Sequence, residues 1–256
     1  MNKISFLNIQ ICSITKTELL QQMHSGILIT PNVDHVVKLQ KDKEFLKCYQ
    51  KADWVICDSN ILNLAAKFWG RGFKEVIPGS SLLPEFYNYH RENKAIKIFL
   101  LGSASGVADT AMKNINKNVG WEMVIGAHSP SYGFEKNEDE CQEIVDIINK
   151  SGANVLVVGV GAPKQEKWIV KYEKSMPNVN LFMALGATID FEAGKIKRAP
   201  ALMRKLHLEW LFRLLKEPKR LWKRYLLESL PFFVLIFRQK LNIYEDPFIN
   251  KIYQHE

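Results

Sequence analysis

The 256 residues carry 35 Lys/Arg against 27 Asp/Glu, a net charge of +8, and 47% of them are hydrophobic. That composition excludes a disordered polymer and leaves room for one large domain, or one domain with an appendage. The charge is lopsided: residues 196–256 hold 13 Lys/Arg and 6 Asp/Glu, whereas residues 1–195 are nearly balanced at 22 and 21. The last quarter therefore has to face something anionic, whether phosphate groups, an acidic membrane surface or nucleic acid.

In chain order, the N-terminus shows no apolar run of signal-peptide length. An early apolar run, Ile27-Leu28-Ile29, closes at Thr30-Pro31-Asn32. A short buried strand is predicted over 54–57, ending at Asp58, with a helix over 60–68. A second strand over 96–101 ends in the loop Gly102 to Gly106, which opens a helix. Glu138, Asp139 and Glu140 begin a polar helix. A strand over 154–158 ends in Gly159-Val160-Gly161-Ala162-Pro163 before a helix over 164–173. The last strand, over 181–185, ends in Gly186-Ala187-Thr188.

Apolar strands without alternation, each followed by a helix, predict a Rossmann-like α/β domain over 1–195. Its sheet is mostly parallel, with helices on both faces. Residues 196–256 predict a helical, basic appendage: one helix over 202–216, a second opened by Pro218, and an apolar stretch interrupted by Pro231. Its leucines and tryptophans beside Arg213, Arg220 and Arg224 suit a helix lying on an anionic membrane. They equally suit a helical subdomain whose leucines pack on the core and whose basic face meets water. The longest apolar run, 230–237, is far short of the roughly 20 residues a membrane span needs. The four cysteines, Cys12, Cys48, Cys57 and Cys141, are widely spaced, which predicts buried, reduced thiols in a cytosolic setting.

Open parallel sheets bind ligands at the carboxyl ends of their strands. Glycine loops there let backbone approach a phosphate, and helix N-termini present free N–H groups to it. Gly102, Ser103, Gly159, Gly161, Pro163 and Gly186 are the candidates for holding a nucleotide or sugar phosphate, although βα turns carry glycine for other reasons too. Asp58 is placed to act as a general base or to cap the helix after it. Thr30 and Asn32 can offer a hydroxyl and an amide to a sugar, or form a plain turn. No Asp-x-Asp motif and no histidine pair at ligand spacing occurs, so no metal and no other cofactor is expected. Gly159-Val160-Gly161 lacks the third glycine of a dinucleotide fingerprint, which argues against a dehydrogenase.

Several blocks run in one order over residues 25–228. They are Thr30-Pro31-Asn32 with His35-Val36-Val37, Ala52-Asp53-Trp54-Val55-Ile56-Cys57-Asp58, and Phe99-Leu100-Leu101-Gly102. Gly159-Val160-Gly161-Ala162-Pro163-Lys164-Gln165-Glu166 and Leu185-Gly186-Ala187-Thr188-Ile189-Asp190-Phe191 follow. The last block runs from Lys197-Arg198-Ala199-Pro200 through Glu209-Trp210-Leu211-Phe212-Arg213 to Glu217-Pro218-Lys219-Arg220. Together they resemble the WecG/TagA/CpsF family of bacterial glycosyltransferases. The resemblance implies an inverting, metal-independent transfer of a sugar from a UDP-sugar, often UDP-N-acetylmannosamine, to a sugar on a polyprenyl diphosphate. It implies Asp58 as the general base, Thr30, Asn32 and Gln165 as sugar contacts, and Arg213, Arg220 or Arg224 at the diphosphates. The setting it implies is the inner face of the cytoplasmic membrane.

The chain departs from the family pattern at Asp58-Ser59-Asn60-Ile61, where Asp-Gly-x-Gly is usual, at Val76-Ile77-Pro78-Gly79, where Arg-x-Thr-Gly is usual, and at His207. The first two departures imply a changed donor or acceptor sugar. The rival to an enzyme is a non-catalytic nucleotide-sugar-binding subunit of a polysaccharide assembly complex. No nucleic-acid partner is expected, because the tail mixes Trp and Leu with its arginines and carries no recognisable motif. The sequence leaves a homo-oligomer open.

Overall fold

The computed structural model describes residues 2–196, 199–200, 203, 209–216, 218, 222 and 230–249. The chain opens with an antiparallel hairpin, β1 (Lys3–Phe6) and β2 (Ile9–Cys12), in which Phe6 pairs with Ile9 across a two-residue turn. Ile4, Phe6, Ile9 and Ile11 are buried and alternate with polar neighbours, the period-2 signature of a half-covered ribbon. Helix α1 (Lys16–Gln22) starts on a capping box, Thr15 with Glu18. Then come β3 (Gly26–Ile29), α2 (Val33–Lys38), α3 (Lys43–Lys51), β4 (Trp54–Val55), α4 (Asn60–Phe68) and α5 (Gly79–Tyr89). They are followed by β5 (Ile98–Gly102), α6 (Val107–Val119), β6 (Val124–His128), α7 (Glu138–Ser151) and β7 (Val155–Gly159). The series continues with α8 (Lys164–Tyr172), β8 (Leu181–Ala184), α9 (Thr188–Glu192), α10 (Glu209–Lys216) and α11 (Leu230–Lys240).

Among the described residues, six strands form one sheet in the order β4-β3-β8-β7-β5-β6, every neighbouring pair parallel. All residues of β5, β7 and β8 are buried, as strands covered on both faces must be. Alternate residues feed two cores. Phe99, Leu101, Leu156, Val158, Phe182 and Ala184 join α2, α3, α7 and α8 on one face. Ile98, Leu100, Val155, Val157, Leu181 and Met183 join α1, α5, α6 and α9 on the other. The moves β3 to β4, β6 to β7 and β7 to β8 run one way across the sheet with α2, α3, α7 and α8 on one face, and the return move β5 to β6 carries α6 on the other, as a single crossover hand requires. The predicted α/β class and parallel sheet are thus observed.

Three details differ from the sequence reading. The N-terminal hairpin and β6 were not anticipated, and the strand expected over 96–101 runs Ile98–Gly102. Pro231 does not interrupt the apolar stretch: it lies within α11, Leu230–Lys240. Of the helix expected over 202–216, the portion Glu209–Lys216 is described and is helical, and the helix expected from Pro218 lies almost wholly outside the described residues. No helix among the described residues is long and apolar enough to cross a membrane.

Helix α11 packs on the hairpin. Phe232 and Ile236 are buried, the rings of Phe6 and Phe232 stack at 6.4 Å, and Trp69 donates from Nε1 to the Ile236 carbonyl at 3.1 Å. The Leu7 N–H donates to Gln239 at 2.8 Å. The opposite side of α11 exposes Phe233, Val234 and Phe237.

Candidate active site

The connections after β3, β4, β5, β7 and β8 bring the sequence-predicted groups of this domain to the carboxyl side of the sheet. The β3 end delivers Thr30, which is buried, and Asn32, which caps α2 by accepting the His35 N–H at 3.1 Å. The β4 end delivers Asp58, whose N–H meets the Pro31 carbonyl at 3.3 Å. The choice left open for Asp58 is resolved in part, because Ser59, not Asp58, caps α4. Instead the half-buried Asp58 carboxylate reaches across to α5, where Oδ1 accepts the Gly79 N–H at 2.9 Å. That bond from the first N–H of α5 orients the carboxylate toward the helix start.

Gly79 ties this corner together. A Cβ there would lie 3.0 Å from the Thr30 hydroxyl oxygen, so the α5 start approaches β3 more closely than a side chain comfortably allows. The buried Thr188 hydroxyl donates to the Gly79 or Leu185 carbonyl, at 3.1 and 2.7 Å. Gly79 and Thr188 were not singled out as site residues, though both lie inside or beside quoted motifs. Their signal was a turn glycine and a small hydroxyl at strand ends, which is common everywhere.

The glycine loops hold the middle of the rim. A Cβ on Gly102 would fall 2.6 Å from the Gly159 backbone, and one on Gly159 would fall 2.6 Å from the Gly186 carbonyl. The ends of β5, β7 and β8 therefore meet backbone to backbone, a shelf that only glycine permits. Ser103 follows with φ of 63°, and its hydroxyl is buried without a hydrogen-bond partner. Gly161 and Gly186 sit in the left-handed region, at φ of 87° and 56°, with open space beside each Cα. Pro163, joined by a cis bond to Ala162, precedes α8. Gln165 is 3% exposed, and its Oε1 accepts N–H groups from both Gly161, at 3.1 Å, and Gly186, at 3.2 Å. Its Nε2 donates to Glu166 at 2.8 Å.

Behind the rim lie buried polar groups. His35 pairs through Nδ1 with the Tyr49 hydroxyl at 2.7 Å, and Asp34 pairs with Lys38 at 2.8 Å. Burial, reinforced by Glu166 and Asp58, pushes the Tyr49 phenol well above its ordinary range. Burial also pushes the Cys57 thiol, next to Asp58, up to about 12, so it stays protonated. The four cysteines are free and buried, as expected. Arg213 belongs to α10, but its side chain, like all of Arg220 and Arg224, lies outside the described residues. Two surface cavities, of about 220 and 520 Å³, border α11 and not the rim.

The order of groups along the sheet defines what the rim can do. The strands that lead to Asp58 and to Gly159, β4 and β7, are three strand spacings apart, about 14 Å at ~4.8 Å each. An extended ligand with a phosphorylated end on the glycines would present its other end to the carboxylate. The fold is that of a doubly wound α/β domain, the class that binds ligands at this edge of its sheet.

A sequence model of the Glycosyl transferase WecG/TagA/CpsF family matches residues 4–246, and the chain belongs to that family. It is a glycosyltransferase. Among its relatives is an N-acetylglucosaminyldiphosphoundecaprenol N-acetyl-beta-D-mannosaminyltransferase of Staphylococcus aureus strain MW2. The two are 28% identical over 84% of this chain and 80% of the relative. A protein of the same name from Bacillus spizizenii strain W23 is 26% identical over 91% of this chain and 88% of its own length.

Proposed function

We propose that this protein transfers a hexose, N-acetylmannosamine or a relative of it, from a UDP-sugar to a sugar carried on a polyprenyl diphosphate. The product feeds a polysaccharide or cell-wall polymer. The observation that carries the reading is the continuous rim from Asp58 through Gly79 and Thr30 to the Gln165-tied glycine loops, in a chain whose relatives are named for that transfer onto a diphosphoundecaprenol sugar.

In this mechanism the UDP diphosphate lies against the Gly159–Gly161 and Gly186 loops, with Gly102 and Ser103 completing the seat. Thr30, Asn32 and Gln165 contact the sugar. An amide NH2 has two donors, and Glu166 takes one of those of Gln165, which leaves the other for a sugar hydroxyl. The Asp58 carboxylate takes the proton of the acceptor hydroxyl as its oxygen attacks the anomeric carbon. The bond from that carbon to the phosphate oxygen breaks, UDP leaves with the electron pair, and the centre inverts. Arg213, Arg220 and Arg224 meet the departing charge without a metal ion.

The enzyme works at the inner face of the cytoplasmic membrane. Exposed Phe233, Val234 and Phe237 beside Arg238 and Lys240 support an interfacial seat for residues 196–256 on anionic lipid.

The test is UDP release from a panel of UDP-sugars, in EDTA, with a short-chain polyprenyl-diphosphate sugar as acceptor. One donor should turn over, and Asp58→Ala should lose at least ~100-fold in kcat while binding UDP normally. Normal UDP-sugar binding with no turnover for any donor would instead make the protein a binding subunit.

A further inference from the structure

The proposed transfer chemistry gives Glu166, a deeply buried acid of α8, no direct part. Glu166 is 0% exposed, its Oε1 accepts from Gln165 Nε2 at 2.8 Å, and its Oε2 has no hydrogen-bond partner. The side chain it holds is itself a bridge, since Gln165 Oε1 accepts from Gly161 on the β7 loop and from Gly186 on the β8 loop. An amide group has one accepting end and one donating end. Turned over, Gln165 would set its NH2 against two N–H donors and its oxygen against a carboxyl oxygen. The two glycine amides on one side and Glu166 on the other therefore select one orientation.

We propose that Glu166 is a positioning residue for the donor nucleotide. By accepting one N–H of Gln165 it locks that amide as a clamp between the Gly161 and Gly186 loops, and so sets the spacing of the surface that seats the diphosphate. The proposal rests on the reading of those loops as the nucleotide's seat. Packing alone does not explain the residue. An acid at this depth loses its hydration, and an apolar side chain of the same size would fill the space at lower cost. The titratable groups around Glu166 are Lys38 on α2 and Tyr49 and Cys48 on α3. The side-chain hydrogen bond its carboxyl makes goes to the clamp, to Gln165 Nε2.

The experiment is amide hydrogen exchange in the full-length protein at Gly161 and Gly186, together with calorimetric UDP affinity. The variants are Glu166→Met, Gln165→Leu, the double variant and Glu166→Gln. Glu166→Met keeps the volume and removes the acceptor. It should speed exchange of both glycine amides at least tenfold, with the Val157 amide in β7 unchanged, and weaken UDP binding by a similar factor. The double variant should be no worse than Gln165→Leu, because Glu166 acts through Gln165. Glu166→Gln retains a carbonyl acceptor and should restore most of both signals. Unchanged glycine exchange in Glu166→Met, or additive effects in the double variant, would overturn the clamp. Loosened loops with undiminished UDP affinity would overturn its role in donor positioning. If the wild type binds no UDP, the nucleotide reading fails, and the exchange data still decide whether Glu166 sets the clamp. Should Glu166→Met not fold, Glu166→Leu replaces it in the same comparison.

Discussion

Two acids, Asp58 and Glu166, show how environment sets the use of a carboxyl group. Asp58 is half-buried and bonded to the N–H at the start of α5, within reach of solvent at the rim. Glu166 is enclosed, and loss of hydration raises its acid from 4.5 to about 7. Below pH 4.5 both the folded and unfolded chains hold that proton. Between 4.5 and 7 the unfolded chain has lost it and the folded chain has not, so stability falls as pH rises. Above 7 the penalty is complete, at about 3 kcal/mol for a shift of this size. Denaturant titrations at pH 4.5 and 8 should show the wild type losing about 3 kcal/mol more than Glu166→Gln over that interval. Equal losses would mean the acid is ionised throughout. The lowered carboxyls, such as Glu18 at about 2 beside the Thr15 backbone and Lys74, act below this window and are common to both proteins.

At the scale of elements, the N-terminal hairpin and α11 stabilise each other from opposite ends of the sequence, Phe6 meeting Phe232. Phe6 touches Trp69, Phe73 and Phe232, so one ring joins β1, α4's end and α11. Phe232 is 1% exposed, and its truncation leaves a cavity beside the Phe6 ring. Phe232→Ala should cost about 3–5 kcal/mol, read as a fall in the denaturation midpoint. The same contact changes how the tail can be studied. Deleting everything after Lys195 removes Phe232 and Ile236 and uncovers Phe6, so lost activity in that truncation would not by itself report membrane contact.

For the whole molecule, the proposed membrane contact can be tested on the exposed side of α11, which carries Phe233, Val234 and Phe237. Point changes on that side avoid the cost of truncation. Phe233→Ser with Val234→Ser, both more than half exposed, should reduce co-sedimentation with phosphatidylglycerol liposomes about tenfold and leave the thermal midpoint within a few degrees. Binding should also weaken with salt, as attraction between basic residues and anionic lipid does. Undiminished liposome binding in this variant would locate the membrane contact elsewhere.

The sequence by itself determined the class of fold and the inventory of the rim. Parallel strands buried on both faces, such as Val155–Gly159 and Leu181–Ala184, need unbroken apolar runs, and helices such as Asn60–Phe68 announce their caps and periods locally. The hairpin was legible in the alternation of Ile4, Phe6, Ile9 and Ile11 but lacked a glycine turn, Leu7 taking the positive φ instead. Only the tertiary structure decided what the rim residues do to one another. Asp58 bonds the start of α5 and not the helix beside it, Gln165 links two loops 25 residues apart, and Gly102 and Gly159 are required because each is packed against the backbone of the next strand end. Those roles depend on contacts between strand ends distant in sequence, and a hydrogen-bond partner or an excluded Cβ exists only once the chain has brought those ends together.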